Sequence, residues 1–327
     1  MHHSTIISGS YRSIDEYIAN VPSWDVDISQ LVSGRCESRH TIFSTRDFEF
    51  RFIEHTLRFL QRGYDVKPGL SFFLPLSDEP LNYLGHRFDR PTICCAPSGE
   101  NINVITPDNF FGALIYISSE KLQQLLAQIC DPSVIKMPRL ATTYFHPTAH
   151  QFNELKAQLI LIKNYMPPCG TMTVDNKEWL HNWTVAKVVP LLVEIMANRS
   201  EVIADARREK FETALEIIVN NIYSPPSITE LAALLNMTAR NLQYMFKNNI
   251  DMTPKQFAKV FRLNVARKRL WHSARVRGQV SDIANDLGYW HMGSFTQEFK
   301  QLFQLTPTSI LSMQRDSGMD LLNEIIK

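Results

Sequence analysis

Phe48, Phe50 and Phe52 alternate with Glu49 and Arg51, the period of two that marks a half-buried strand. Comparable runs follow at 70–76 (LSFFLPL), 92–97 (TICCAP), 101–106 (NINVIT) and 112–118 (GALIYIS), cut by Asp-Glu-Pro, Pro-Ser-Gly and Pro-Asp-Asn turns. The stretch 53–62 (IEHTLRFLQR) suits helix or strand and is read as strand continuing from 48. Short strands at this spacing predict an all-β sandwich or barrel. After Ser119 the apolar period lengthens to that of amphipathic helices. Leu122, Leu125, Leu126 and Ile129 share one face, and Phe152, Leu155, Leu159 and Ile162 another. A third stripe runs through Trp179, Trp183, Val188, Leu191, Leu192 and Ile195. Pro167, Pro168 and Gly170 break the chain between the last two.

Further on, one pattern is written twice. Ile228, Leu231, Ala232, Leu235, Asn236, Met237, Leu242, Phe246 and Lys247 are repeated as Val280, Ile283, Ala284, Leu287, Gly288, Tyr289, Phe295, Phe299 and Lys300. Each copy predicts a short helix, a tight turn at Asn or Gly, and a second helix that opens on small polar residues. That is a helix-turn-helix, whose second helix enters the DNA major groove. Ser227 and Glu230 form a capping box at the first copy, and Thr253, Pro254 and Gln256 start a long basic helix between the copies. Thr306 and Pro307 repeat the device for a last helix.

The segments ITELAALLNMTARNLQYMFK, TPKQFAKVFRLNVARKRL and VSDIANDLGYWHMGSFTQEFKQLFQLTPTSI resemble the C-terminal domain of the AraC/XylS family of bacterial transcription regulators. The resemblance covers residues 217–314, roughly the last hundred. It departs at Trp290 and His291, where the family usually has small or acidic residues, and in a slightly long arm, WHSARVRGQ. It implies a cupin-like barrel before the helices, helices after the barrel that form a dimer contact, and activation more often than repression. Double-stranded DNA, RNA polymerase and a second copy of the chain are the implied partners. By position in the first unit, Arg240, Gln243 and Tyr244 match the family's base-contacting sites, with Asn241 exposed beside them; arginine pairs with guanine, and Gln or Asn with adenine. The matching set in the second unit is His291, Met292, Gly293, Ser294, Thr296 and Gln297. Being shorter and less polar, it is expected to read less. Lys247, Arg262, Arg267, Lys268, Arg269 and Lys300 are expected at phosphates, with an internal salt bridge as the alternative for Arg267.

Charge agrees. The whole chain is nearly neutral at +1, yet residues 222–315 hold 12 Lys and Arg against 5 Asp and Glu, a net +7, leaving 22 against 28, or −6, elsewhere. A basic module joined to an acidic one is the electrostatic footprint of a nucleic-acid binder. Five cysteines without regular spacing suit a reducing cytoplasm, and adjacent Cys94 and Cys95 should point to opposite faces of a strand. The start, MHHSTIISGSYRS, lacks the basic and apolar runs of a signal peptide, and no apolar run approaches the ~20 residues of a membrane helix.

Catalysis finds no motif: neither a phosphate loop, a nucleophile elbow nor HExxH occurs. His146 and His150 have a metal-like spacing but no third ligand nearby, so no metal or cofactor is expected. A cupin-type enzyme carrying a DNA-targeting module is the alternative function, and His40, His55 and His86 would have to converge for it. The expected organisation is α+β: an arm (1–23), a β-rich sensing domain (24–118) and a helical dimerisation or connecting region (119–199). A linker (200–210), a double helix-turn-helix domain (211–316) and a tail (317–327) complete it. Arg35, Arg39, His40, Arg51 and His55 suggest a small organic effector, anionic if arginines meet it, within 24–118; the same arginines could instead solvate the outer face.

Overall fold

In the computed structural model the two periodicities sort into layers. Residues 5–21, 24–129, 142–168, 170–197, 206–273 and 279–316 are described, apart from 78, 80, 84, 85, 89 and 101. The chain forms β1 (Thr5–Tyr11), α1 (Ile14–Ala19), β2 (Trp24–Gln30), β3 (Ser38–Ser44), β4 (Phe48–His55) and β5 (Phe59–Asp65). It continues as β6 (Gly69–Pro75), β7 (Asn82–Tyr83), β8 (His86–Arg87), β9 (Ile93–Pro97), β10 (Ile102–Thr106) and β11 (Phe110–Ser118). Then come α2 (Ser119–Ile129), β12 (Thr143–Phe145), α3 (Ala149–Tyr165), β13 (Gly170–Thr171), α4 (Val174–Trp183) and α5 (Val189–Ala197). One turn of π-helix, Thr184–Val188, joins α4 to α5, with the Thr184 hydroxyl donating to the Leu180 carbonyl at 2.6 Å.

The strands make two open sheets, a large one in the order β12-β9-β6-β11-β4-β3-β1-β13 and a small one in the order β2-β5-β10-β7-β8. Among the described residues neither closes on itself, so the sandwich half of the expectation holds and the barrel half does not. Alternation along β4 decides what lies on each side of the large sheet. Phe48, Phe50 and Phe52 pack with Leu155, Leu159, Leu180 and Leu192 of the helices, while Ile53 turns to the space between the sheets. Cys95 and Cys94 divide the same way, as their adjacency requires. The small sheet is apolar on both sides. Phe59 and Val104 face the large sheet, whereas Leu60 and Ile105 face the C-terminal helices.

Three expectations are corrected. The strand at 48 does not run through 62; it ends at His55, and β5 begins at Phe59 after a turn, because Asp108 captures the Arg58 amide at 2.9 Å. The arm is not separate from the sandwich, since β1 pairs with β3 along its whole length, Thr5 opposite Ser44 and Tyr11 opposite Ser38. The region after 118 is not all helix: β12 extends the large sheet beside β9, and β13 extends it beside β1. Strands of three and two residues carry no period long enough to betray them.

The C-terminal helices are α6 (Ala206–Asn220), α7 (Ile228–Leu234), α8 (Ala239–Ile250), α9 (Pro254–Trp271), α10 (Gln279–Asp286), α11 (Met292–Phe303) and α12 (Pro307–Asp316). The segment read as a linker lies largely outside the described residues, and α6 starts within it. Phe211, Leu215, Ile218 and Ile222 of α6 and its end cover the core of α7 and α8. A fragment starting at Asp205 is therefore expected to fold, giving helical circular dichroism and a cooperative melt. A non-cooperative trace would mean that Leu31, Leu60 and Ile105 of the sandwich are indispensable to that core.

Candidate nucleic-acid interface

The two copies of the pattern fold alike down to their hydrogen bonds. Asn236 takes a left-handed turn at φ +50°, and Met237 donates its amide to the Ala232 carbonyl at 3.0 Å. Gly288 does the same at φ +78°, with Tyr289 donating to Ala284 at 2.9 Å. Asn and Gly are the residues that enter this region at least cost. The second helices end alike as well: Asp251 and Gln304, at φ +59° and +54°, donate to the carbonyls of Lys247 and Lys300. Ala232 and Ala284 are both buried where each helix pair crosses.

Capping fixes where the helices begin. Ser227 Oγ accepts from the Glu230 amide at 3.2 Å while the Glu230 carboxylate accepts from the Ser227 amide at 2.8 Å. Thr253 and Gln256 make the same reciprocal pair at the start of α9, with Pro254 in the first turn. Thr238 caps α8 through the Asn241 amide at 3.1 Å. With these starts set, Leu242, Met245 and Phe246 are buried in the first unit, and Phe295, Phe299, Leu302 and Phe303 in the second. One helix, α9, belongs to both cores, supplying Phe257 and Phe261 to the first and Leu263, Ala266 and Leu270 to the second.

What remains outside is the set the sequence picked out, with one change. Arg240, Asn241, Gln243 and Tyr244 are exposed on α8, and His291, Gly293, Ser294, Thr296 and Gln297 are exposed on or just before α11. Met292 is the exception: it is half-buried and packs against the second unit's core, as an apolar side chain in a first turn does when a hydrophobic cluster lies beneath it.

The basic residues divide more sharply. Lys300 is exposed, and Lys247 is exposed but paired with Asp251 one turn on. Arg262 is half-buried, its guanidinium 6.0 Å from the Tyr289 ring. Arg269 binds Asp286 at 2.7 Å, and Lys268 binds Asp27 at 3.1 Å. Arg267 takes the internal course and not the phosphate one. It is 4% exposed, faces Asp15 of α1 at 3.4 Å, and donates to the Ile28 carbonyl at 3.3 Å. Burial holds the Asp15 carboxyl above the usual range although Arg267, His272 and Lys268 pull it down.

Arg267 belongs to a polar seam between sandwich and helices that sequence reading did not foresee. The Gln30 amide donates to Asn264 Oδ1 at 2.8 Å, and Asn264 Nδ2 returns the bond to the Gln30 carbonyl at 2.9 Å. Gln30 Nε2 also reaches the Leu302 carbonyl at 2.9 Å, beside the Gly34 amide at 3.0 Å. Asn82 Nδ2 donates to the Asn249 carbonyl at 2.6 Å. The C-terminal ends of both second helices thus rest on the sandwich, and their N-terminal ends point away from it. No local period in the sequence could signal pairs more than 160 residues apart.

Residues 231–313 match a family described as "Helix-turn-helix domain". Among curated relatives, the chain is 30% identical over 98 residues to the "Probable thc operon regulatory protein" of Rhodococcus erythropolis, covering 30% of each. It is 29% identical over 131 residues to "XylDLEGF operon transcriptional activator 1" of Pseudomonas putida, covering 40% of this chain and 39% of that one. The C-terminal domain belongs to the AraC/XylS family. The match of the whole chain to "XylDLEGF operon transcriptional activator 3" of the same species extends over 226 residues at 28% identity, 64% of this chain and 67% of the relative. The first two matches span less than half of the relatives' own length. The crystal structure of "the AraC-like transcriptional activator CuxR" aligns over 81% of this chain and 96% of that one, at 12% identity and a TM-score of 0.41.

No described helix is long and apolar enough to cross a membrane. His146 bonds to Thr92 at 3.1 Å, whereas the His150 side chain is 88% exposed, so the two imidazoles serve different surroundings. His40 and His55 do meet, around the Tyr17 ring at 5.4 and 5.2 Å, while the His86 side chain lies outside the described residues.

Proposed function

We propose that this protein is a sequence-specific transcription regulator whose two helix-turn-helix units occupy adjacent major grooves on one face of double-stranded DNA. The observation that carries the reading is the duplicated unit on one rigid helix: two polar recognition surfaces, each over its own core, with α9 built into both. Units held this way would lie about one helical turn, roughly 34 Å, apart along the duplex. By likeness to the activators it matches, it promotes transcription through RNA polymerase and works as a homodimer in the cytoplasm.

Base reading is expected mainly from Arg240, Gln243 and Tyr244, with Lys247 and Lys300 at phosphates. Arg240→Ala or Gln243→Ala should cost about 1–3 kcal/mol on the specific site and relax preference at one or two base pairs, leaving nonspecific binding intact. Lys300→Ala should weaken both DNAs alike and lower the salt slope by roughly one unit. Titration of specific and scrambled duplexes over a salt series measures all three. Equal losses on both duplexes for the first two variants would refute a base-reading role.

The sandwich is proposed to sense a small molecule. Its inter-sheet space holds polar atoms that no described residue satisfies, at His40 Nδ1, His55 Nε2 and both ends of the Gln61 amide. A cleft of about 340 Å³ bounded by Arg39, Glu54, His55, Asn109 and Phe110 leads to His55. The arginines do not favour an anion here. Arg51 is buried against Glu49, Arg39 stands 3.6 Å from Glu54 on the outside, and Arg35 is exposed. An uncharged ligand with hydroxyl or carbonyl groups suits imidazole and amide partners better.

A further inference from the structure

We propose that Trp290 is a DNA-contacting residue of the second unit, laid against a thymine methyl and its deoxyribose, and that Gly293 is the gap that lets the duplex come that close. The inference rests on the reading of the helical domain as a DNA-binding module. It names a contact that the matching pattern does not supply.

Trp290 is 81% exposed, ahead of Val174 at 71% and Tyr244 at 68% among the large apolar side chains turned to solvent. Its direction is set by its neighbour. After the left-handed turn at Gly288, Tyr289 folds inward, its ring 5.1 Å from Phe295 and 6.0 Å from the Arg262 guanidinium. In the non-helical stretch that follows, consecutive side chains take opposite sides, so anchoring Tyr289 throws the next side chain outward. Trp290 thus precedes the entrance of α11, where His291, Gly293, Ser294 and Gln297 are also exposed.

Gly293 is the second observation, independent of the first. It sits in the first turn of α11, where glycine weakens a helix. The fold does not call for it: its φ is not left-handed, and a Cβ built there would meet nothing within 4 Å. A glycine that neither the turn nor the packing requires is explained by close approach of something outside the protein. The first unit has long polar side chains, Arg240 and Gln243, at the same stage of its recognition helix. The second has glycine where the first has Arg240, with exposed Ser294, Thr296 and Gln297 beyond it and an indole at its edge. Such a surface suits apolar contact beside its hydrogen bonds, and the thymine methyl is the apolar mark of the major groove.

The test uses the full chain and the tightest duplex it selects from a random pool. Trp290→Ala should weaken that duplex about 10-fold and Trp290→Phe much less, while replacing thymine by deoxyuracil in the second half-site should weaken the unaltered protein and not Trp290→Ala. Gly293→Gln should raise the melting temperature and lower affinity together, a pairing that damage to the fold cannot produce. Full affinity in both variants would overturn the proposal. So would full affinity with lost transcription in a polymerase assay, which would assign the indole to a protein partner. Failure of the unaltered chain to select any duplex would instead remove the DNA-binding reading on which the proposal stands.

Discussion

Arg267→Ala should cost about 3–5 kcal/mol of stability while leaving the salt dependence of DNA binding unchanged, because this arginine lies in the seam and not at the duplex. Both partners are buried, Arg267 at 4% and Asp15 at 4%, and the guanidinium also lies 5.4 Å from the Phe303 ring. Removing the cation strands a carboxyl whose burial already works against its charge. Asp15→Asn should cost a comparable amount, since it leaves the permanently charged guanidinium buried without a counter-ion. Replacing the pair by Met and Leu should recover much of the loss, as apolar substitutes for buried ion pairs often do. Denaturant melts of the full chain give the stabilities, and affinities from 50 to 200 mM salt give the slope. A phosphate contact at Arg267 would show itself as a slope smaller by ~0.9 in the alanine variant with little change in melting.

The two halves of the chain were unequally legible. The helix-turn-helix units could be read from the sequence because their determinants are local: a cap, an alanine at a crossing, a positive-φ turn and apolar residues at helical spacing all fall within about twenty residues. The sandwich was legible as strands and not as sheets. Leu60 and Phe59 sit side by side and face different cores, so the run reads as merely apolar, and nothing local says which side a second domain will cover. The same limit hid the seam. Asn264 is a mid-helix polar residue whose surrounding pattern names no partner for it, and its meaning lies in Gln30, 234 residues away. The family pattern offers Arg267 an internal salt bridge without naming its partner, because Asp15 is in a six-residue helix that carries no period of its own. Met292 is half-buried where the sequence predicts exposure, because position relative to the cap fixes a helical face only to within one residue of where the helix starts.

Acidification from pH 7 to pH 5 should remove about 4 kcal/mol of stability through His40 and His55, with roughly half from each. Burial is the main cause in both, depressing His40 to about 4 with help from Arg51, and His55 to about 3 with help from His40. The unfolded chain takes up protons on these imidazoles near pH 6.5, whereas the folded chain resists until pH 4 or below. Between those values the unfolded state binds more protons, so stability is whole above pH 6.5 and falls as pH falls. The burial is visible around His55, whose Nδ1 lies 2.8 Å from the Ser38 hydroxyl and whose ring stands 5.0 and 6.3 Å from the Phe59 and Phe110 rings. Asp15 and Asp65, whose carboxyls burial raises, act in the opposite sense. Glu49, depressed chiefly by Arg51 and Lys67 against its own burial, adds to acid sensitivity lower still. Urea melts at pH 7 and pH 5 on the parent chain and on His40→Gln/His55→Gln measure the effect. The double variant should start less stable and lose little further on acidification. An equal loss in both chains would place the acid-sensitive groups elsewhere than at this pair.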